Sequence, residues 1–463
     1  MKALIPTTLA LSSLCVGAVA QSRPNIIFFM VDDMGIGDVG AYGQRYIPTP
    51  ALDSLATEGM TFTQAYAGCS VSAPSRGSVL TGRHTGNAYI RGNQNVESTD
   101  GRIYDRALAQ DEVTVAEMLK EVGYDTACIG KWGLGGPDTE GAPWRQGFDY
   151  FFGYLGQLSA HRHRPTFLHE QDAVIELDGK TYAQDLLMER AIDFLRDGQR
   201  KESPFFLYFT PTLPHADLDA EEEDKAAFEG QFCERPFKGD WYRAEEQPKA
   251  TYAGMVSRID RDVRRMIEVL QEEGLAENTL FIFTSDNGAH EEGGHDPYFF
   301  DGNGPYRGLK RALYEGGIRV PFIAVWPGTI RANSTSYHPI AFWDVMPTLQ
   351  ELAGAKAQPQ SDGISFYPTL TGEGEQEQHD FLYWEFHEEG GRQAVRVGEW
   401  KLIRQQVREA SKTHDELFNL AADPGELRNV AVDYPEVVKE LGAIIDREHT
   451  ASQVFPLLPD EQR

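Results

Sequence analysis

Five short runs decide most of what this chain can become, because they are largely apolar and lack the polar alternation of a half-exposed strand. They are NIIFFMV at 25–31, DTACI at 125–129, PFFLYFT at 204–210, TLFIFT at 279–284 and VPFIAVW at 320–326. A strand with no polar face has to be covered on both sides. Helical stretches at 114–121, 183–195 and 251–273 lie between these runs. In the last of them Met255, Ile259, Val263, Met266, Ile267 and Leu270 form an i, i+3, i+4, i+7 stripe suited to core packing. Such alternation predicts an α/β fold: a large, mostly parallel sheet sandwiched by helices. With 463 residues, 41% of them hydrophobic, the chain is long enough to bury that core.

Both ends of the chain differ in texture. Residues 1–20 combine Lys2, a small and apolar stretch, and Ala18-Val19-Ala20, the pattern of a secretory signal, so the protein is expected to be exported, periplasmic or secreted. Past a polar linker beginning at Thr371, strand-like pieces at 380–386, 393–397 and 400–404 precede a helix at 434–448. They predict a smaller C-terminal α+β subdomain with an antiparallel sheet over 373–463, after a catalytic domain over 21–372. Cys15, Cys69, Cys128 and Cys233 are too few and too irregular for a disulfide framework or a thiolate zinc cluster. No stretch beyond the leader approaches a membrane span, so no membrane partner is expected. Lys and Arg number 43 against 71 Asp and Glu, a formal charge of −28 that disfavours nucleic acid as a partner.

In parallel α/β sheets ligands bind at the carboxyl ends of the strands. Here the runs lead into Asp32-Asp33, Gly130-Lys131-Trp132, Pro214-His215 and Ser285-Asp286-Asn287-Gly288. Each alone reads as an ordinary turn, but repeated at successive strand ends they predict a shared site. Asp32, Asp33, Asp286 and Asn287 make an oxygen-rich set suited to calcium or magnesium rather than zinc. Adjacent carboxylates repel one another unless a cation lies between them. A second constellation spans Ser72 to Arg83, SAPSRGSVLTGR. Pro74 marks a helix start, and Arg76, one turn after Ser72, is expected on the same face and to reach back toward it.

This second stretch resembles the signature of the type I, formylglycine-dependent sulfatases of the alkaline phosphatase superfamily, C/S-x-P-S-R-x-x-x-L-T-G-R. Five more motifs follow the order of that family: Asp32-Asp33-Met-Gly-x-Gly-Asp38, Gly-Lys131-Trp, Pro-His215, Ser-Asp286-Asn287-Gly, and Gly-Leu-Lys310-Arg-Ala-Leu-Tyr-Glu-Gly-Gly-Ile-Arg319. The region around Glu416 to Asn429 also looks like the family's closing segment. The resemblance implies a formylglycine made from Ser72 by a serine-type maturase, and Ca2+ held by Asp32, Asp33, Asp286, Asn287 and residue 72. It implies that a hydroxyl of the hydrated aldehyde attacks sulfur, and that the aldehyde re-forms as sulfate leaves. Arg76 and Lys131 would hold the nucleophile, while His215 and Lys310 would bind the transferring group. Cys69, without a proline at +2 or an arginine at +4, is read as structural. One departure is Gly133, where many members carry a histidine; His161 and His163 are the candidates to replace it.

The resulting expectation is an exported sulfatase acting on a sulfated carbohydrate, with rim loops supplying substrate contacts. His161, Arg91, Asn303, Arg307 and His295, with Arg162 and Asp296, are candidates for those contacts. Two alternatives stand beside it. One is a phosphate or phosphonate ester hydrolase of the same superfamily, which predicts histidine-rich metal ligands; the other is a non-catalytic carbohydrate-binding relative.

Overall fold

The computed structural model describes residues 23–356 and 361–462, so the leader expected at 1–20 lies outside the described residues. Its centre is the strand Asn25–Val31, whose residues from Ile26 onward are wholly buried. Ile27, Phe29 and Val31 face one core cluster, and Ile26, Phe28 and Met30 the other. That two-sided burial explains the unbroken apolar run. At about 1.5–3 kcal/mol per buried large side chain, it supplies much of the drive for the sheet to form.

Strands run across the ten-stranded sheet in the order 334–336, 60–62, 322–325, 279–285, 25–31, 205–210, 125–131, 150–154, 167–170 and 173–176. The five from 279–285 to 150–154 are mutually parallel. Antiparallel pairs flank them on both sides. Phe322–Val325 is one of these flanking strands. Residues 286–321 contain only the short helices Pro297–Phe300 and Glu315–Ile318, and the chain re-enters the sheet in the opposite direction. A parallel pairing there would have needed a full crossover helix.

The helix Pro248–Glu272 begins with proline at its first turn, and Met255, Ile259, Val263, Met266 and Leu270 enter the core as the stripe predicts. Ile267 packs at the edge of that cluster. Its Asp260 carboxylate accepts from the amides of Ala51 (2.8 Å) and Leu52 (2.9 Å), capping the neighbouring helix Pro50–Glu58 through the favourable end of its dipole.

The C-terminal part contains four antiparallel strands, Leu382–Phe386, Arg392–Val397, Trp400–Gln405 and His414–Asn419, and the helix Pro435–Glu448. Sequence patterning predicts three of these strands; the fourth was hidden because HDELFN carries polar residues at its start. One face, with Tyr383, Val395, Leu402 and Leu417, packs on that helix through Leu441 and Ile445. The other face, with Trp384, Phe386, Ile403 and Phe418, packs on Tyr66, Cys69, Val71 and Trp343. Cys69 is sealed in that junction, where its thiol donates to the Glu385 carbonyl at 3.2 Å and burial pushes it up to about 12.

Candidate active site

Residues 72–81 form the helix whose start the sequence predicts, and Gly82 closes it in the left-handed conformation (φ 67°), donating to the Ser78 carbonyl at 3.0 Å. Every residue of this helix is buried. Ser75 Oγ donates to the Asp286 carbonyl at 2.5 Å and accepts from the Gly68 amide at 3.1 Å, pinning the helix to the end of the strand Thr279–Ser285. Ser72 at the first turn is thereby set against the ends of the central strands.

Ser72 Oγ lies 3.0 Å from Asp32 Oδ1. Lys131 Nζ bridges the same pair, 3.1 Å from Ser72 Oγ and 2.7 Å from Asp32 Oδ2. Arg76 does not reach back to Ser72. Its guanidinium forks onto Asp286 Oδ2 (2.8 and 3.1 Å) and stands 3.4 Å from Asp32 Oδ1, so it fixes the carboxylates around the nucleophile position.

Oxygens of Asp32, Asp33 and Asp286 converge within 4.8 Å of one another, all buried. Asp33 adopts a left-handed backbone (φ 65°), uncommon outside glycine but tolerated by aspartate better than by most residues. Its amide donates to Asp286 Oδ1 at 3.1 Å, and its Oδ1 accepts from Asn287 Nδ2 at 2.7 Å. Asn287 Oδ1 is buried without any protein partner. Burial and the charge of Asp32 push the Asp286 carboxyl up to about 7. Burial opposes ionisation of Asp32 too, but the charges of Lys131 and Arg76 hold it well below the usual range. Three converging carboxyl groups, one of them reluctant to ionise, and an orphaned amide oxygen fit a hard divalent cation.

A second cluster, Asp33, His215 and Glu292, has the same ligand-like convergence, but its centre is taken by Lys310. Lys310 Nζ lies 2.7 Å from Asp33 Oδ2, 2.8 Å from Glu292 Oε2 and 2.9 Å from His215 Nε2. His215 Nδ1 meets the Ala216 carbonyl, so its partners assign a neutral ring with the proton on Nδ1 and Nε2 accepting from Lys310. Burial, then the charge of Lys310, keep that imidazole well below the ordinary histidine value. A fixed ammonium thus occupies the second of the two places where ligand-like atoms converge among the described residues.

At Gly133 the backbone is left-handed (φ 75°), and a Cβ would come within 2.8 Å of Gln157 Cγ, so this position cannot carry a histidine without displacing Gln157. His161 stands instead beside the site, its ring centroid 4.3 Å from that of His215 and its Nδ1 buried without a partner. His163 braces the strand end, bonding Thr212 Oγ1 (3.0 Å) and the His215 carbonyl (2.8 Å).

The structure does not bring the other loop candidates to the nucleophile. Arg91 is buried and donates to the carbonyls of Ala88 and Thr450, tying down the C-terminal segment. Asn303 bonds the carbonyls of Tyr306 and Gly308 within its own loop. Arg307 stacks on Tyr314 at 3.9 Å and donates to the Glu426 carbonyl. His295 is stacked on Tyr252 at 3.5 Å, behind His290. Glu292, which sequence reasoning missed, joins Lys310 to Arg311 (2.6 Å). Its only signal was its place five residues after Asn287.

Residues 24–355 match the family model described as Sulfatase, and residues 306–450 match N-sulphoglucosamine sulphohydrolase, C-terminal. The chain is 32% identical over 396 residues to N-acetylgalactosamine-6-sulfatase of Rattus norvegicus, spanning 79% of this chain and 69% of that protein. It is 31% identical to Arylsulfatase A of Homo sapiens, spanning 93% and 89%. Among solved structures, that of Ps i-CgsB in complex with k-i-k-neocarrahexaose superposes with a TM-score of 0.80 at 27% identity, covering 93% of this chain and 94% of that one.

Proposed function

Because the chain belongs to the sulfatase family and is a sulfuric ester hydrolase, we propose that it is an exported enzyme that desulfates a saccharide, using calcium and a formylglycine made from Ser72. The observation that carries this reading is the position of Ser72 Oγ, 3.0 Å from Asp32 Oδ1 and 3.1 Å from Lys131 Nζ. The saccharide class is supported by N-acetylgalactosamine-6-sulfatase and by the neocarrahexaose-bound structure among its relatives. Export to the periplasm or medium is supported by the leader pattern at 1–20.

Asp32, Asp33, Asp286, Asn287 and residue 72 would hold calcium, which when bound draws charge from a sulfate oxygen. Formylglycine at residue 72 supplies, as its hydrate, the hydroxyl nucleophile. Around them the protein's own groups are fixed in advance. Lys131 donates to the oxygen on residue 72 and lowers the cost of negative charge there. Arg76 keeps Asp286 and Asp32 from turning away. Lys310 holds the transferring group, and it is itself oriented by Asp33, Glu292 and the lone pair of His215 Nε2. His161 supplies an imidazole in place of one at 133, and burial keeps its ring neutral.

Charge counting favours the cation. Arg76, Lys131, Lys310 and Arg311 face Asp32, Asp33, Glu292 and Asp286, so once a cation draws the Asp286 carboxyl into its ionised form the fixed charges cancel and the divalent ion gives the pocket its attraction for an anion. A two-metal phosphoesterase is disfavoured by Lys310 at the second centre. The test is mass spectrometry of the tryptic peptide containing Ser72 from protein co-produced with a serine-type maturase. A loss of about two daltons relative to serine is expected; an active enzyme with an unaltered serine overturns the formylglycine reading.

A further inference from the structure

Residues 237–245 form a hairpin that the catalytic groups do not explain. The Phe237 amide donates to the Glu245 carbonyl at 2.8 Å and the reverse bond is 3.0 Å, while Asp240 Oδ1 accepts from the Tyr242 amide at 2.7 Å. Trp241 and Tyr242 stand at its tip. The tip is moored beside the active site: the Arg243 amide donates to Asp217 Oδ1 at 2.9 Å, and Asp217 Oδ2 takes Arg162 at 2.5 Å. Arg162 also donates to the Trp241 carbonyl at 3.2 Å and lies over its indole, 5.3 Å from the ring centre.

The edge of Trp241 meets His161 at 4.9 Å, and His161 meets His215 at 4.3 Å, so the indole is two ring contacts from the Lys310 cluster. Tyr242 closes the corner, 5.0 Å from Trp241 and 5.7 Å from His161. Despite the contacts of Arg162, His161 and Tyr242 that hold it, Trp241 is 51% exposed, whereas every other tryptophan among the described residues is buried or partly buried. An indole held rigid yet left open to solvent at the mouth of a site gains nothing for the fold. It can gain from a ligand with a flat apolar face, at little entropic cost on binding.

A pyranose ring has such a face in its axial C–H groups, and hydroxyls around its edge that the Arg162 guanidinium can meet. We propose that Trp241 is the platform on which a pyranose ring of the substrate's leaving group stacks, making it a specificity-determining residue. This rests on the saccharide reading above.

The test uses enzyme whose residue 72 has been verified by mass. Its probes are carrageenan oligosaccharides and N-acetylgalactosamine 6-sulfate as sugar substrates, 4-nitrocatechol sulfate as a non-sugar ester, and inorganic phosphate as an inhibitor that reports on the sulfate pocket alone. On the sugar the wild type desulfates, Trp241→Ala should raise KM about tenfold and change kcat by less than about threefold. Trp241→Phe should recover most of the loss, and the phosphate inhibition constant should not move. An unchanged KM for the sugar in Trp241→Ala overturns the platform, as does a parallel weakening of phosphate binding, which would make the tip a mere wall of the sulfate pocket. A wild type active on 4-nitrocatechol sulfate and on none of the sugars overturns the saccharide reading itself, and the platform with it.

Discussion

Of the buried charge clusters in this molecule, two invite comparison: one at the strand ends around Ser72 and one where the C-terminal sheet meets the catalytic domain. In the second, Lys401 Nζ pairs with Glu315 at 2.9 Å and Glu426 at 3.0 Å. Arg319 and the Tyr66 hydroxyl complete Glu315, and Arg396 donates to that hydroxyl. Burial opposes ionisation of Glu315, yet Lys401 and Arg319 bring it down to about 2. Burial pushes Glu426 up to about 7 there, as it pushes Asp286 at the strand ends, so a raised carboxyl does not separate the two; the difference is that at the strand ends three carboxylates converge and Asn287 Oδ1 has no protein partner. One cluster is closed by protein groups and fastens two parts of the chain together. The other needs a ligand to complete it, and that shortfall is what distinguishes a site from a structural ion network.

The contrast breaks most sharply at the nucleophile. Ser72→Ala in matured protein should lower sulfate release by at least about a thousandfold while leaving the unfolding midpoint within a few degrees, checked by ion chromatography and thermal melts. Full activity would remove residue 72 from the chemistry. The junction should behave in the opposite way. Lys401→Met strands two buried carboxylates and should cost about 3–5 kcal/mol of stability in urea unfolding. Any change in kcat/KM of the surviving folded enzyme should stay within about threefold, and a larger loss would mean that the two clusters are coupled.

Chelation separates the clusters by a smaller margin. Wild type should be stabilised by about 2.7 kcal/mol when calcium exceeds its dissociation constant a hundredfold, and EDTA should erase this along with activity. The calcium effect should vanish in Asp286→Asn and persist in Lys401→Met. The smallest effect concerns a third pair at the C-terminal edge, where His449 lies 2.6 Å from Glu385 and 2.5 Å from Glu461. Burial opposes its protonation, but these carboxylates raise it to about 8, above the ordinary histidine value. Its contribution is therefore whole below about pH 6.5 and is lost as pH rises through about 8. Solvent screening at this partly exposed pair limits it to about 1 kcal/mol. The urea midpoint should fall between pH 6 and pH 9, and His449→Ala should flatten that part of the slope.

The strand runs and the polar residues at their ends were legible because both depend on local patterning. A strand covered on both faces has to be apolar throughout, and Asp32, Lys131, His215 and Asp286 follow such strands closely in the chain. The sheet's outer strands were not legible. Tyr150–Tyr154 is only five residues long, and its antiparallel neighbour Phe167–Glu170 and the strand beyond it, Ala173–Glu176, are four-residue pieces with polar residues that lack a clear alternating pattern. Arg91 and Arg307 show a further limit, since a charged loop residue reads the same whether it faces a substrate or ties two segments together. Arg76 shows a subtler one: helical spacing put it near Ser72, but the stronger bidentate partner, Asp286, came from 210 residues away.

The helix Ser72–Thr81 is buried along its whole length, with Ser72 itself only 2% exposed. Burial here acts as a clock. If a maturase alters Ser72 as proposed, it needs access that ends once the strands bearing Asp32 and Asp286 close over the residue. Under that proposal the order of events is set by the fold: conversion would precede folding, and a molecule that folded first would keep its serine.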